Sequence, residues 1–256
     1  MQIINTYKCN LQCKHCLFSC RNNRQGYLDN YILRKFLEKK IAQNDYFVNY
    51  CGGETFLHPG WEEQLSMLAC AGFTEIRLVS NGFKLYSKKR DMSPTMERLI
   101  NVVSKFPNTQ FTLMISDDRY HREELQKRGA DLDNIILSVK DAIDLCSSNI
   151  AIEKDLREKI SNKVMPLGRA LKNKIYDNDG ICMLDLNGDD QIIADITLDP
   201  YGRIYACCNA RGYIGTVDTP DDVLTERLSK IKPQKSCLQC IYKGLDKIKE
   251  RRENYV

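Results

Sequence analysis

Cys9, Cys13 and Cys16 form a CxxxCxxC run of eight residues. Thiolates at that spacing can reach three corners of one small inorganic centre. On a four-iron cluster they would leave one iron open to bind and act on a small molecule. A zinc half-site or a dithiol redox pair is the simpler alternative, with Cys20 as a further ligand. Zinc ligands come more usually as CxxC pairs, so this spacing favours the iron-sulfur reading. A second set lies downstream in Cys182, Gly202-x4-Cys207 and Cys237-Leu-Gln-Cys240. Its four thiolates could close a structural zinc site or fill every corner of a second four-iron cluster. Cys208 stands beside Cys207 and could replace it as ligand.

Composition frames this chemistry. The chain has 256 residues, 43% hydrophobic and 28% charged, as a soluble globular protein of one or two domains has. Twelve cysteines in a reducing compartment argue for metal or redox chemistry rather than disulfides. The three histidines, His15, His58 and His121, are too few to suggest a multi-histidine centre. His58 and His121 read as structural or supporting residues. No apolar run approaches the roughly 18 residues of a membrane span, and the first strand leaves no room for a signal peptide, so a cytoplasmic protein is expected. Net charge is +4, with a basic run at Lys247 to Arg252 that reads as a solvated helix face rather than a nucleic-acid contact.

The elements that must position these residues alternate. Gln2 to Tyr7 reads as a strand, Asp29 to Gln43 as a helix capped by Asp29, and Tyr46 to Tyr50 as a strand. Trp61 to Ala71 is helical, Glu75 to Ser80 a strand, and Ser93-Pro94 caps a helix running to about Phe106. Gln110 to Ser116 is a strand, followed by helical sequence from Arg119 to Cys146 that breaks near Gly129. Asn149 to Ile152 is a short strand, Glu153 to Ile160 a helix, and Lys163 to Met165 a last strand before Pro166. Six strand-helix alternations predict a parallel α/β sheet, either open or curled into a partial (β/α)6 TIM-like barrel. Function then belongs at the C-terminal ends of the strands. Past residue 172 the texture changes to turn clusters and a hairpin, Gln191 to Leu198 and Arg203 to Ala206, around Asp199-Pro200-Tyr201-Gly202. This predicts a barrel over 1–172 and a small cysteine-rich α+β domain over 173–256. Cys70 and Cys146, on predicted helices, read as core residues, and Cys51 as packed in a strand.

CxxxCxxC after the first strand, followed by Gly52-Gly53-Glu54 at the end of the second, resembles the radical SAM superfamily. Ser80-Asn81-Gly82, Ser116-Asp117-Asp118-Arg119-Tyr120-His121 and Pro166-Leu167-Gly168-Arg169-Ala170 are similar to weaker segments of that superfamily. His15 departs from the aromatic residue usual before the third cysteine. The resemblance implies a [4Fe-4S] cluster on Cys9, Cys13 and Cys16 whose open iron binds S-adenosylmethionine. Gly52, Gly53, Glu54, His15, Ser80, Asn81 and Ser116 would surround that cofactor, with Glu54 pairing to its ammonium group. Cleavage of the sulfonium by an electron from the cluster yields a 5′-deoxyadenosyl radical that takes hydrogen from substrate. The downstream cysteines resemble a SPASM or twitch domain, which implies an auxiliary [4Fe-4S] cluster on Cys182, Cys207, Cys237 and Cys240. An external electron donor such as flavodoxin or ferredoxin is implied as partner.

Two substrates stay open at this point: a ribosomally made peptide to be crosslinked or epimerised, or the alcohol of a small aminocyclitol. Cys208 and Arg169 are the candidate catalytic residues, and Cys20 a further hydrogen donor or substrate contact. A zinc-stabilised binding protein is the non-enzymatic alternative.

Overall fold

The computed structural model describes residues 1–43, 46–87, 92–146, 149–154, 168–174, 196–207, 210 and 212–230. Five strands lie parallel: β1 Gln2–Thr6, β2 Phe47–Gly52, β3 Glu75–Ser80, β4 Gln110–Ile115 and β5 Ile150–Lys154. Between them run α1 Asn30–Leu37, α2 Trp61–Cys70, α3 Pro94–Val103, α4 Arg119–Gln126 and α5 Leu132–Cys146. This is the alternation expected of a parallel sheet, in which each crossover returns the chain to the same end.

Local chemistry accounts for the elements. Residues 3 to 6 of β1 are all buried, as in a strand covered on both faces. In β3 the buried residues alternate, Ile76, Leu78 and Ser80. The Asp29 carboxylate accepts from the Tyr31 N–H and starts α1, while the Ser93 hydroxyl accepts from the Met96 N–H and starts α3 beside Pro94. Caps of this kind contribute about 1 kcal/mol each. Leu132, Ile135, Val139, Ala142 and Ile143 line the buried stripe of α5 at helical spacing.

Three short strands complete the sheet: β6 Thr197–Leu198, β7 Arg203–Tyr205 and β8 Tyr213–Thr216. The order is β5-β4-β3-β2-β1-β6-β7-β8. β6 joins β1 in parallel, with Gln2 opposite Thr197, and β7 and β8 then pair antiparallel. The hairpin turn expected around residues 199–202 is therefore present and continues the main sheet, while residues 191–195 of its expected first strand lie outside the described residues. Helix α6 Gly168–Lys172 precedes these strands and α7 Asp221–Ser229 follows them.

The structure corrects some expected boundaries. α1 stops at Leu37, and Lys39 turns extended before a short 3-10 turn, Lys40–Ala42. Glu153 and Lys154 belong to β5 rather than to a helix, because β4 reaches Ile115 and pairs with them in register. The helix expected over 155–160 and the strand over 163–165 lie outside the described residues. Cys70 and Cys146 are exposed, not core, since each is the last residue of its helix and stands off the buried stripe. Cys51 is buried in β2, as expected. Among the described residues no helix is long and apolar enough to cross a membrane.

Candidate functional site

Beyond β1 the chain folds back along its own strand end. Tyr7 N–H donates to the Gly26 carbonyl at 3.1 Å, and Cys9 N–H to the Arg21 carbonyl at 3.2 Å. The segment between carries the three cysteines. Cys9 and Cys13 are buried and Cys16 is half-buried. Backbone N–H groups already point at two of the sulfurs, from Leu11 to Cys9 at 3.4 Å and from Cys20 to Cys16 at 3.3 Å. Burial pushes the Cys9 thiol up, and the Glu54 carboxylate adds to this. Cys16 is lowered to about 5, first by a hydrogen bond from Cys20 and then, against its burial, by the Arg169 guanidinium. Its neighbour Cys20 is correspondingly raised by that bond and by burial.

The end of β2 locks onto this turn. Gly53 N–H donates to the Thr6 carbonyl at 2.7 Å and Glu54 N–H to the Lys8 carbonyl at 2.9 Å. A Cβ on Gly53 would lie 2.1 Å from the Lys8 oxygen, so the approach requires glycine. Gly52 is tied to the same place, where a Cβ would meet the Thr6 oxygen at 2.4 Å. The Glu54 side chain is fully buried and reaches the end of β3. It accepts from the Ser80 hydroxyl at 2.8 Å, the Asn81 N–H at 2.9 Å and the Phe56 N–H at 3.3 Å. Burial nevertheless raises its pKa against these three donors. Asn81 in turn donates to the Asn10 side-chain oxygen at 2.9 Å and approaches the Cys9 sulfur at 3.8 Å. Three strand ends thus converge on one loop. Ser116, buried at the end of β4, continues the row by donating its N–H to the Ser80 carbonyl.

A cluster that sequence spacing does not announce stands beside the loop. Asp118 caps α4, accepting from the N–H groups of Tyr120 and His121. The same carboxylate is 2.5 Å from His121 Nδ1 and 3.2 Å from His15 Nε2. The His15 ring stacks on Tyr120, with centroids 4.7 Å apart, and meets His121 edge-on. Burial pulls the His121 pKa down, but hydrogen bonds to Asp118 and Cys13 outweigh it and raise it to about 10. The ligating atoms of His15, Asp118 and His121 lie within 4.8 Å of one another. Histidine count alone argued against such a grouping, and a histidine–carboxylate set forms across the fold all the same. His58, by contrast, is structural: its Nε2 lies 2.8 Å from the Leu28 carbonyl.

Helix α6 closes the loop from a distant part of the chain. Arg169 donates from Nε to the Cys13 carbonyl at 2.8 Å, from Nη1 to the Cys20 carbonyl at 2.6 Å, and from its N–H to the Cys16 carbonyl at 3.0 Å. Asn173 adds a bond to the Lys14 carbonyl at 2.9 Å. Arg169 was expected near substrate; its described bonds go to the loop.

Of the second cysteine set, Cys207 is described; Cys182, Cys208, Cys237 and Cys240 lie outside the described residues. Tyr205 pairs with Thr197, which pairs with Gln2, so Cys207 stands by the start of β1 while Cys9 follows its end. β1 between those two ends is five residues long, about 17 Å at ~3.3 Å per residue. What links the two ends is Asp199, fully buried at the hairpin turn. It accepts from Arg203 Nε at 2.7 Å and from the hydroxyls of Tyr7 and Tyr205, each at 3.3 Å.

The loop suits an iron-sulfur cluster and a polar ligand beside it. Three sulfurs lie on one short segment with backbone donors aimed at those of Cys9 and Cys16, and a thiol raised by burial, as that of Cys9 is, ionises on coordinating a metal. Asn10 Nδ2 and His15 Nδ1, both in the loop, are buried and have no hydrogen-bond partner among the described residues, which is what a cradle for a further polar group looks like.

No family model matches the chain. Over 228 residues it is 26% identical to YydG of Bacillus subtilis (strain 168), a protein provisionally named for peptide biosynthesis, covering 79% of this chain and 66% of YydG. Its fold is similar to that of anSMEcpe solved with AdoMet and the Cp18Cys peptide, with a TM-score of 0.55, 14% identity, and coverage of 94% and 81% of the two chains. Against anSMEcpe with AdoMet alone the TM-score is 0.53 at 13% identity, over 94% and 82% of the chains. These likenesses show a shared fold, in which this chain's CxxxCxxC loop follows β1.

Proposed function

We propose that the chain is a radical SAM enzyme that modifies a peptide. The observation that carries this reading is the convergence of Glu54, Ser80 and Asn81 on the loop bearing Cys9, Cys13 and Cys16. Those three cysteines would hold a [4Fe-4S] cluster. When bound, the cluster and S-adenosylmethionine supply the electron transfer and the radical chemistry.

The chain's own residues bind, orient and exclude water. A carboxylate offers about four acceptor sites, and Glu54 uses three of them within the protein. The remaining site suits the ammonium group of S-adenosylmethionine, and a cation there offsets the burial that raises the Glu54 pKa. The free N–H of Asn10 Nδ2 suits its carboxylate, and His15, with Nε2 against Asp118, leaves Nδ1 for a nucleobase. The burial of Cys9, Cys13, Glu54 and Asn81 keeps water from this corner. Cys207, with Cys182, Cys237 and Cys240, would hold the auxiliary [4Fe-4S] cluster at the other end of β1. Flavodoxin or ferredoxin is the electron donor that this reading calls for.

The peptide substrate is supported by the resemblance to YydG, named for peptide biosynthesis. anSMEcpe, which shares the fold, has been solved with a peptide bound. The test is to incubate the reduced protein and S-adenosylmethionine anaerobically with a short peptide encoded beside its gene, then read both products by mass spectrometry. A mass change in the peptide matched by 5′-deoxyadenosine supports the reading. An unaltered peptide, with oxidation of an aminocyclitol offered in parallel, overturns it.

A further inference from the structure

Arg169 makes more contacts with the cysteine loop than any substrate role would explain. Its guanidinium bridges the Cys13 and Cys20 carbonyls at 2.8 and 2.6 Å, and its backbone N–H takes the Cys16 carbonyl between them at 3.0 Å. The contact is built from both sides. Gly168 begins α6 at φ +54, where a Cβ would lie 2.1 Å from the Leu17 oxygen and 2.4 Å from that of Cys16. No side chain can stand there without displacing the loop. Asn173, one turn on, reaches the Lys14 carbonyl as a neutral donor. Arginine differs from it in one respect that matters here: it carries a permanent charge.

We infer that Arg169 is a positioning residue for the first cysteine site, which clasps the Cys13–Cys20 segment and supplies a fixed positive charge that sets the reduction potential of the cluster held there. This rests on the four-iron reading of Cys9, Cys13 and Cys16. Reduction adds an electron to a centre bound by three thiolates, so a nearby cation favours the reduced state and raises the potential. The clasp and the charge are separable. Lysine keeps the charge but cannot span two carbonyls, whereas glutamine loses the charge.

The full chain is reconstituted with iron and sulfide under anaerobic conditions, and each variant is read by potentiometric titration of the reduced-cluster EPR signal and by the rate of iron loss to a chelator. Arg169→Gln is expected to show a more negative midpoint and several-fold faster iron loss. Arg169→Lys is expected to restore the midpoint but to lose iron as fast as Arg169→Gln, and Asn173→Ala to keep the wild-type midpoint. A wild-type midpoint in Arg169→Gln overturns the inference. Should that variant fail to load, Arg169→Lys carries the test, and iron loss at the wild-type rate overturns the clasp. A wild type with no cluster signal overturns the four-iron reading itself, which separates that failure from this one.

Discussion

The two cysteine-bearing ends of β1 are held in different ways. At the C-terminal end the loop is gripped by β2 through Gly53 and Glu54, by β3 through Asn81, by α4 through Asp118 and His121, and by α6 through Arg169. At the N-terminal end Cys207 leaves a three-residue strand, with Thr197 and Ala210 bonded to its carbonyl. The first region spends contacts from the whole length of the fold on one short segment. The second rests on a hairpin tied to the barrel by the pairing of β6 with β1 and by the buried Asp199. A centre that must keep one position open for a ligand needs its three protein ligands held rigidly from outside, because the metal alone does not complete the set. A closed four-thiolate centre can draw its own ligands together.

The sharpest way to break this comparison is Gly53→Ala. The added methyl overlaps the Lys8 oxygen, which is backbone and cannot swing aside. Overpacking of this kind costs about 1–3 kcal/mol, and the strain falls on the turn into Cys9. Urea denaturation is expected to show that loss together with poor retention of iron at the first site. Cys207→Ala tests the other end. If both sites hold four-iron clusters, the wild type carries about eight irons, and the variant is expected to carry about half while still releasing 5′-deoxyadenosine from S-adenosylmethionine. Zinc in place of iron would contradict the reading of the second site.

The smallest expected effect concerns pH. His121 is raised to about 10 through Asp118 and Cys13 despite its burial. A histidine raised in the folded state binds its proton more tightly than in the unfolded chain. Its contribution is therefore complete below pH ~6.5 and declines as pH rises toward 10. Urea midpoints measured at pH 6 and pH 9 are expected to show less stability at the higher pH, and His121→Asn to flatten that dependence. An unchanged slope in the variant would remove His121 from the grip on the loop.

What could be read in the sequence was local. The Asp29 and Ser93 caps, the alternation of β3 and the cysteine loop after β1 each follow from residues a few positions apart. What could not be read depends on distant parts of the chain meeting. His15 and Asp118 belong to different strand-helix units, and neither neighbourhood marks the other. Arg169 looks like a free cation near a barrel mouth until α6 is seen against the Cys13 and Cys20 carbonyls. Glu54 reads as a ligand for a cofactor, yet three of its hydrogen bonds are internal and join β2 to β3. The pairing of β6 with β1, which sends Cys207 to the far end of the strand, has no periodic signature because β6 is two residues long. Exposure of Cys70 and Cys146 at helix ends is likewise invisible to a helical pattern.

The most direct test is the reductive cleavage of S-adenosylmethionine by the reconstituted chain under anaerobic conditions, with 5′-deoxyadenosine quantified. Cys13 is a buried member of the three-sulfur loop, and its loss would remove one corner of the proposed centre. Release of 5′-deoxyadenosine by the wild type and its absence in Cys13→Ala is the predicted result. Equal release by both proteins would contradict the account.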